Sequence, residues 1–179
     1  MNLPNSLTIF RIILVPFFMF FLLVKMPYGQ FIAALIFIIA ASTDGLDGYI
    51  ARKRKQITNF GKIMDPLADK LLVSAALISL VELGKISGWI AVIIIGREFA
   101  VTGLRAVAAS EGVVIAASKI GKYKTVSQII AIIAILMNDF IINLIGLSLG
   151  QYLLYIAVFF TIYSGIDYFS KAGKLIKVG

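Results

Sequence analysis

The chain contains neither cysteine nor histidine among its 179 residues. Without cysteine, a disulfide-stapled module is excluded and the redox compartment is left open. Without histidine, proton transfer near neutral pH falls to a carboxylate, a lysine or a tyrosine. The same absence leaves carboxylate oxygens as the main side-chain metal ligands, which suits hard cations such as Mg²⁺ or Mn²⁺. Charge is scarce as well: 15% of residues are charged, against ~25% in soluble domains. What fills the chain instead is apolar, with 60% in the hydrophobic set and a mean hydropathy of +0.99. A soluble domain of this length has too little interior to hide that much apolar side chain. The composition therefore describes an all-α integral membrane protein, and excludes disorder and collagen.

A membrane span needs about 20 mostly apolar residues. On that ruler six spans are expected, at 7–25, 29–51, 65–83, 87–109, 124–143 and 149–170. The break before the last span, at Leu144–Leu149 with Asn138-Asp139 just ahead, is the weakest. The first run has a signal peptide's apolar character, but no small-residue cleavage site follows. With no internal repeat or low-complexity tract, residues 1–179 read as one domain. Of the seventeen Lys and Arg, fourteen fall on one side if the N-terminus is inside; Lys25 and Lys85 fall on the other, and Arg97 falls mid-span. That bias places both termini in the cytoplasm and makes the net charge of +8 a topology signal. Nucleic-acid binding fits poorly, because the basic residues sit at span ends beside an anionic leaflet. The expected location is the cell membrane, multi-pass, with the chemistry facing the cytoplasm.

Four of the nine acids lie within 26 residues: Asp44, Asp47, Asp65 and Asp69. Asp44 and Asp47 stand three apart near the end of the second span; Asp65 and Asp69 stand four apart at the start of the third. Both spacings put the pair on one helical face, where like charges repel. Carboxylates at a membrane boundary are costly, and four converging without a cation would force protonation. One or two divalent metals resolve the conflict. Asp65 before Pro66 also reads as a helix N-cap with proline in the first turn, which is compatible with a ligand role.

Gly48 and Ala51 continue the Asp44/Asp47 face with small residues, and Arg52, Lys53, Arg54 and Lys55 follow. A smooth helix face beside metal and a forked cation suits a pyrophosphate. Taken singly, Gly48 and Ala51 also read as packing residues, and the basic run as a topology anchor. A second cationic group, Arg105 with Lys119, Lys122 and Lys124, is the candidate site for a phosphorylated co-substrate; the lysines read equally as an anchor. Arg97 and Glu98 lie deeper. Being adjacent, they are expected to point different ways, with Glu98 structural. Asp139 and Asp167 read as interfacial polar residues. A small divalent-cation transporter also accounts for facing carboxylates, but not for Gly48, Ala51, Arg52 or the one-sided basic residues.

Asp44, Asp47-Gly48, Ala51-Arg52, Gly61, Asp65 and Asp69 stand at every fixed offset of the CDP-alcohol phosphotransferase signature. Over about the first 130 residues the chain resembles that family. Within it the likeness is to the bacterial branch whose acceptor is sn-glycerol 3-phosphate. The supporting stretches are Asn2 to Thr8, Gly96-Arg97-Glu98-Phe99, Thr102 to Arg105 and Ala117 to Thr125. The resemblance implies a six-span, homodimeric enzyme that uses CDP-diacylglycerol and sn-glycerol 3-phosphate to make phosphatidylglycerophosphate and CMP. It implies that Asp44, Asp47 and Asp65 hold metal, and that Asp69 completes the site and acts as general base. Asn5, Thr8, Asp44, Gly48, Ala51 and Arg52 would bind the CDP donor. Sister enzymes with inositol phosphate, serine or phosphatidylglycerol as acceptor share the signature. An Asp base agrees with the absence of histidine, and a single displacement with the lack of an obvious Ser or Cys nucleophile.

Overall fold

The computed structural model describes the backbone of residues 3–54, 59–112, 115–116 and 118–176. Side chains are described within these except at positions 3–4, 44–54, 59–60, 62–63, 119, 145 and 174–176. The described residues form seven helices and no strand: α1 (Leu3–Leu23), α2 (Gly29–Arg54), α3 (Asn59–Glu82), α4 (Gly88–Ser110), α5 (Lys119–Leu136), α6 (Asn138–Ile145) and α7 (Gly150–Ile176). In α1 (Asn5–Leu23) and α7 (Gly150–Gly173) the described chain is long and apolar enough to cross a membrane, and the bent α5–α6 pair passes jointly. In α2 the apolar stretch is Gly29–Thr43, before the aspartates begin.

Several helix limits lie a few residues from those expected, and two of the differences have a clear local cause. The fifth run is not one rod: α5 and α6 meet at 74°. The bend falls at Met137, whose ψ of 13° leaves the helical well. Asn138 there accepts a hydrogen bond from Ser148 Oγ at 2.8 Å, and Asp139 sits in the first turn of α6, where a carboxylate meets the positive end of the helix dipole. Asn and Asp thus start a new helix where hydropathy alone continues the old one. Gly146, at φ 71°, then ends α6 in the left-handed conformation that suits glycine. The second difference is Asp65. Helix α3 already runs from Asn59, so Asp65 and Pro66 lie inside it and the N-cap reading is wrong. Proline lacks the N–H that would bond the carbonyl four residues back, which leaves backbone polarity exposed beside the aspartates.

The core is built from α1, α2, α3, α4, α5 and α7. Phe18 and Phe37 cross between α1 and α2 with ring centroids 5.8 Å apart. Leu72, Leu77 and Leu80 of α3, Ile94 of α4, Ile132 and Leu136 of α5 and Leu154 of α7 complete it. Helix α1 packs on α2 and α3, and α7 packs on α4 and α5. Between apolar helices, buried hydrogen bonds set the register. Gln128 of α5 donates to Thr161 of α7 at 2.9 Å, and Thr161 donates in turn to the Ala157 carbonyl at 2.6 Å. At the start of α7, a Cβ on Gly150 would lie 2.9–3.2 Å from Ile135 side-chain and backbone atoms, so only glycine allows that approach.

Candidate active site

The expected donor and metal residues fall on the start of α1, the C-terminal half of α2 and the N-terminal half of α3, three helices that pack together. Asn5 and Thr8 stand one turn apart on α1. Thr8, fully buried, donates its hydroxyl hydrogen to Asp65 Oδ1 at 2.5 Å. One residue expected at the donor site and one expected at the metal are thus in contact across 57 positions of sequence. Asn5 is half-buried. Asp65 and Asp69 are half-buried on α3, four apart as their spacing requires.

Arg11, one turn after Thr8, is fully buried and reaches α2. Its Nε donates to the Ala40 carbonyl at 3.2 Å and to Thr43 Oγ1 at 3.3 Å, and Thr43 donates to the same carbonyl at 2.6 Å. A guanidinium is therefore fastened one residue before Asp44. Sequence reading counted Arg11 only as a topology charge. The signal available was its position, a lone arginine three residues after Thr8 inside the first apolar run.

Asp44, Asp47, Gly48, Ala51 and Arg52 lie on α2, and their side chains fall outside the described residues. Among the described residues no group of three or more acids stands ready for a metal, since only Asp65 and Asp69 of the expected four are in that set. The donor chemistry fits a hard divalent cation: oxygen ligands only, on helices α2 and α3, which pack together.

The expected acceptor cations separate by burial. Arg105 and Lys122 are exposed, Lys119's side chain lies outside the described residues, and Lys124 is 4% exposed. Lys124 Nζ donates to Glu98 Oε1, a contact between α5 and α4. It also lies within electrostatic reach of Asp69 on α3. Arg97 does not point away from Glu98 as adjacency suggested. Its long stem lets Nη1 bond the same Glu98 oxygen at 3.4 Å. Arg97 Cζ lies 5.4 Å from the ring centroid of Tyr168 on α7. Tyr168 is buried, and its hydroxyl accepts a hydrogen bond from the Ser118 backbone N–H at 2.9 Å. Ser118 in turn caps α5, its Oγ accepting from Gly121 N at 3.0 Å. The last helix, merely hydrophobic by sequence, therefore brings Tyr168 against the polar groups of α4 and the start of α5. Asp167 pairs with Lys171 at 2.8 Å on the surface of α7.

A cavity of about 630 Å³ lies at the other end of the bundle, among Met26, Phe31, Met137 and Phe140. It contains none of the expected site residues and is walled mainly by apolar groups.

The chain matches the sequence pattern of CDP-alcohol phosphatidyltransferases over residues 1–163. It is 47% identical to the CDP-diacylglycerol–glycerol-3-phosphate 3-phosphatidyltransferase of Bacillus subtilis (strain 168), over 98% of this chain and 97% of the relative. The proteins of the same name from Haemophilus influenzae and Rickettsia bellii are 44% and 40% identical, each over at least 96% of both chains. With the signature aspartates on two packed helices and a likeness that runs the whole length, the chain belongs to the CDP-alcohol phosphatidyltransferase family.

Proposed function

We propose that this protein transfers the phosphatidyl group from CDP-diacylglycerol to sn-glycerol 3-phosphate, giving phosphatidylglycerophosphate and CMP. The observation that carries the reading is the 47% identity to a relative named for that reaction, over nearly all of both chains. The Thr8–Asp65 contact supports it, because it joins the N-terminal stretch to the signature helix.

A hydroxyl oxygen of the acceptor attacks the lipid-side phosphorus of the donor. The new P–O bond forms as the bond to the CMP oxygen breaks, and the hydroxyl proton passes to the Asp69 carboxylate. Asp69 is a fitting base because the chain has no histidine, which leaves a carboxylate to take the proton. Asp44, Asp47, Asp65 and Asp69 would hold divalent metal, Mg²⁺ or Mn²⁺. When bound there, such a cation supplies charge neutralisation to the pyrophosphate. Thr8 keeps Asp65 oriented, and Arg11 braces α1 against α2 beside Asp44. Asn5, Gly48, Ala51 and Arg52 line the donor side, with the small residues allowing close approach of the pyrophosphate. Arg105, Lys119, Lys122 and Lys124 supply positive charge on the acceptor side.

The protein forms a single domain with six spans, α5 and α6 together making the fifth. Both termini and the site face the cytoplasm, in line with the basic residues' distribution. The working form is a homodimer in the cell membrane. Purified protein, CDP-diacylglycerol and Mg²⁺ or Mn²⁺ should release CMP with sn-glycerol 3-phosphate in preference to inositol phosphate, serine or phosphatidylglycerol. Removal of metal with EDTA should stop the release. CMP release that ignores glycerol 3-phosphate, or that survives EDTA, defeats the proposal.

A further inference from the structure

At the end of the bundle opposite the signature aspartates, two cavities meet at Asp139. The larger, about 630 Å³, lies between the start of α2 and the α5–α6 bend, among Met26, Phe31, Met137 and Phe140. The smaller, about 250 Å³, runs from Asp139 to Lys85 in the turn between α3 and α4. Gln30 in the wall of the first accepts a hydrogen bond from Lys85 Nζ in the wall of the second, at 2.8 Å. This polar end is braced by two more contacts: Ser148 Oγ donates to Asn138 Oδ1 at 2.8 Å, and Gln151 Nε2 to the Lys85 carbonyl at 2.7 Å. Gly29 and Asp44 stand fifteen residues apart on α2, about 22 Å at 1.5 Å per residue. That length separates the cavities from the reacting phosphates.

Asp139 and Lys85 carry opposite charges but do not pair with each other. Lys85 bonds a neutral amide, and among the described residues no cation stands within ion-pair distance of Asp139. A charge beside apolar walls in a membrane protein is costly and marks a functional site by default. The larger cavity has the size of a ligand pocket, ~300–1,000 Å³. Tyr28, Phe31 and Phe140 supply it with aromatic rings, whose faces attract an ammonium, and Met26 and Met137 with side chains that adapt to an alkyl chain. Tyr28 holds its place there at φ 61°, a left-handed conformation that strains a bulky residue. An anionic amphiphile would meet Asp139 as a like charge, and a small solute would leave the apolar walls unfilled. We infer that the joined cavities hold one zwitterionic phospholipid, its ammonium on Asp139, its phosphate on Lys85 and an acyl chain in the larger cavity. Seated there, the lipid touches α2, α6 and the α3–α4 turn together. This site is separate from the reaction proposed above and does not depend on it.

The test mixes purified protein in mild detergent with dioleoyl phosphatidylethanolamine or dioleoyl phosphatidylglycerol. Native mass spectrometry counts the bound lipid, and the thermal midpoint is followed in parallel. The wild type should retain one phosphatidylethanolamine and gain in midpoint, with phosphatidylglycerol held about tenfold or more weakly, as loss of one charge-assisted contact implies. Asp139→Asn keeps the shape and removes the charge, so it should hold phosphatidylethanolamine no better than phosphatidylglycerol. Lys85→Gln, which removes the phosphate contact, should weaken both lipids. Equal retention of the two lipids by the wild type overturns the assignment, as does an Asp139→Asn protein that binds phosphatidylethanolamine like the wild type. Stronger retention of phosphatidylglycerol makes Lys85 an anion site and overturns the ammonium's place on Asp139. Should the variants fail to fold, the preference of the wild type decides alone.

Discussion

The two sides of the site are built in different ways. The α1–α2–α3 side draws its chemistry from one stretch of 26 residues, Asp44 to Asp69, where helical periodicity alone aligns each pair of carboxylates. The α4–α5–α7 side draws on residues 26 positions apart or more: Glu98 meets Lys124, and Tyr168 meets Ser118 across 50 positions. The first side is a motif with a tertiary clamp, the Thr8 hydroxyl on Asp65. The second exists only once three helices have packed. The contrast suits the two tasks proposed for them: a pyrophosphate with its metal on the first side, and a small acceptor on the second.

The largest effect expected lies on the first side. Asp69→Asn keeps shape and one oxygen, but cannot take the hydroxyl proton. Turnover should fall by ~10²–10⁴ with CDP-diacylglycerol binding retained. A rate restored by excess Mg²⁺ or Mn²⁺ would leave Asp69 as a ligand alone and remove the base from this side.

Breaking the second side should show in stability before it shows in binding. Glu98→Ala leaves two cations buried without their carboxylate, and such a loss costs about 3–5 kcal/mol. A denaturant titration of the purified protein in mild detergent measures this. An unchanged midpoint would mean that the α4–α5 contact contributes no stability, and the two sides would no longer differ in how they are held.

Gly48→Leu adds bulk to the face beside Asp47. Crowding of about 1–3 kcal/mol should raise the KM for CDP-diacylglycerol about tenfold or more, with glycerol 3-phosphate unaffected. Normal donor binding would make Gly48 a packing residue and narrow the motif to its aspartates.

Thr8→Val removes the clamp without changing volume. Loss of a hydrogen bond that orients a ligand costs about 10- to 100-fold in metal affinity, so half-maximal activity should require that much more Mg²⁺ or Mn²⁺. An unaltered metal titration would show that α1 is not part of the first side's machinery.

Arg105→Ala should have the smallest effect. An exposed cation gains about 0–1 kcal/mol from an ion pair, so the KM for glycerol 3-phosphate should rise only a few-fold. A rise of about tenfold or more would make Arg105 a principal phosphate contact of the second side.

Much of the first side was readable from the chain alone. The eight signature positions, the membrane class and most helix limits follow from spacing and hydropathy, which are local properties. The fifth run misled for a local reason too. Hydropathy integrates over the window and passes Asn138-Asp139, whereas the backbone turns at Met137, whose ψ of 13° leaves the helical well. Pro66 misled because its preference for a first turn is a tendency, and here α3 already begins at Asn59. Arg11 and Tyr168 were missed because nothing near them in sequence announces a partner. One is a charge within an apolar run, the other an aromatic among many.

Composition and spacing by themselves determined that this is a helical membrane protein, and that each pair of aspartates falls on one helical face. They did so because a helix turns by a constant angle, and because apolar length and charge set the cost of crossing a bilayer. Only the tertiary structure decided that Thr8 fastens Asp65, that Arg11 reaches Ala40 and Thr43, and that Glu98 gathers Lys124 and Arg97 beside Tyr168. Those pairings depend on the rotation and depth at which whole helices pack, and no local pattern of residues specifies either.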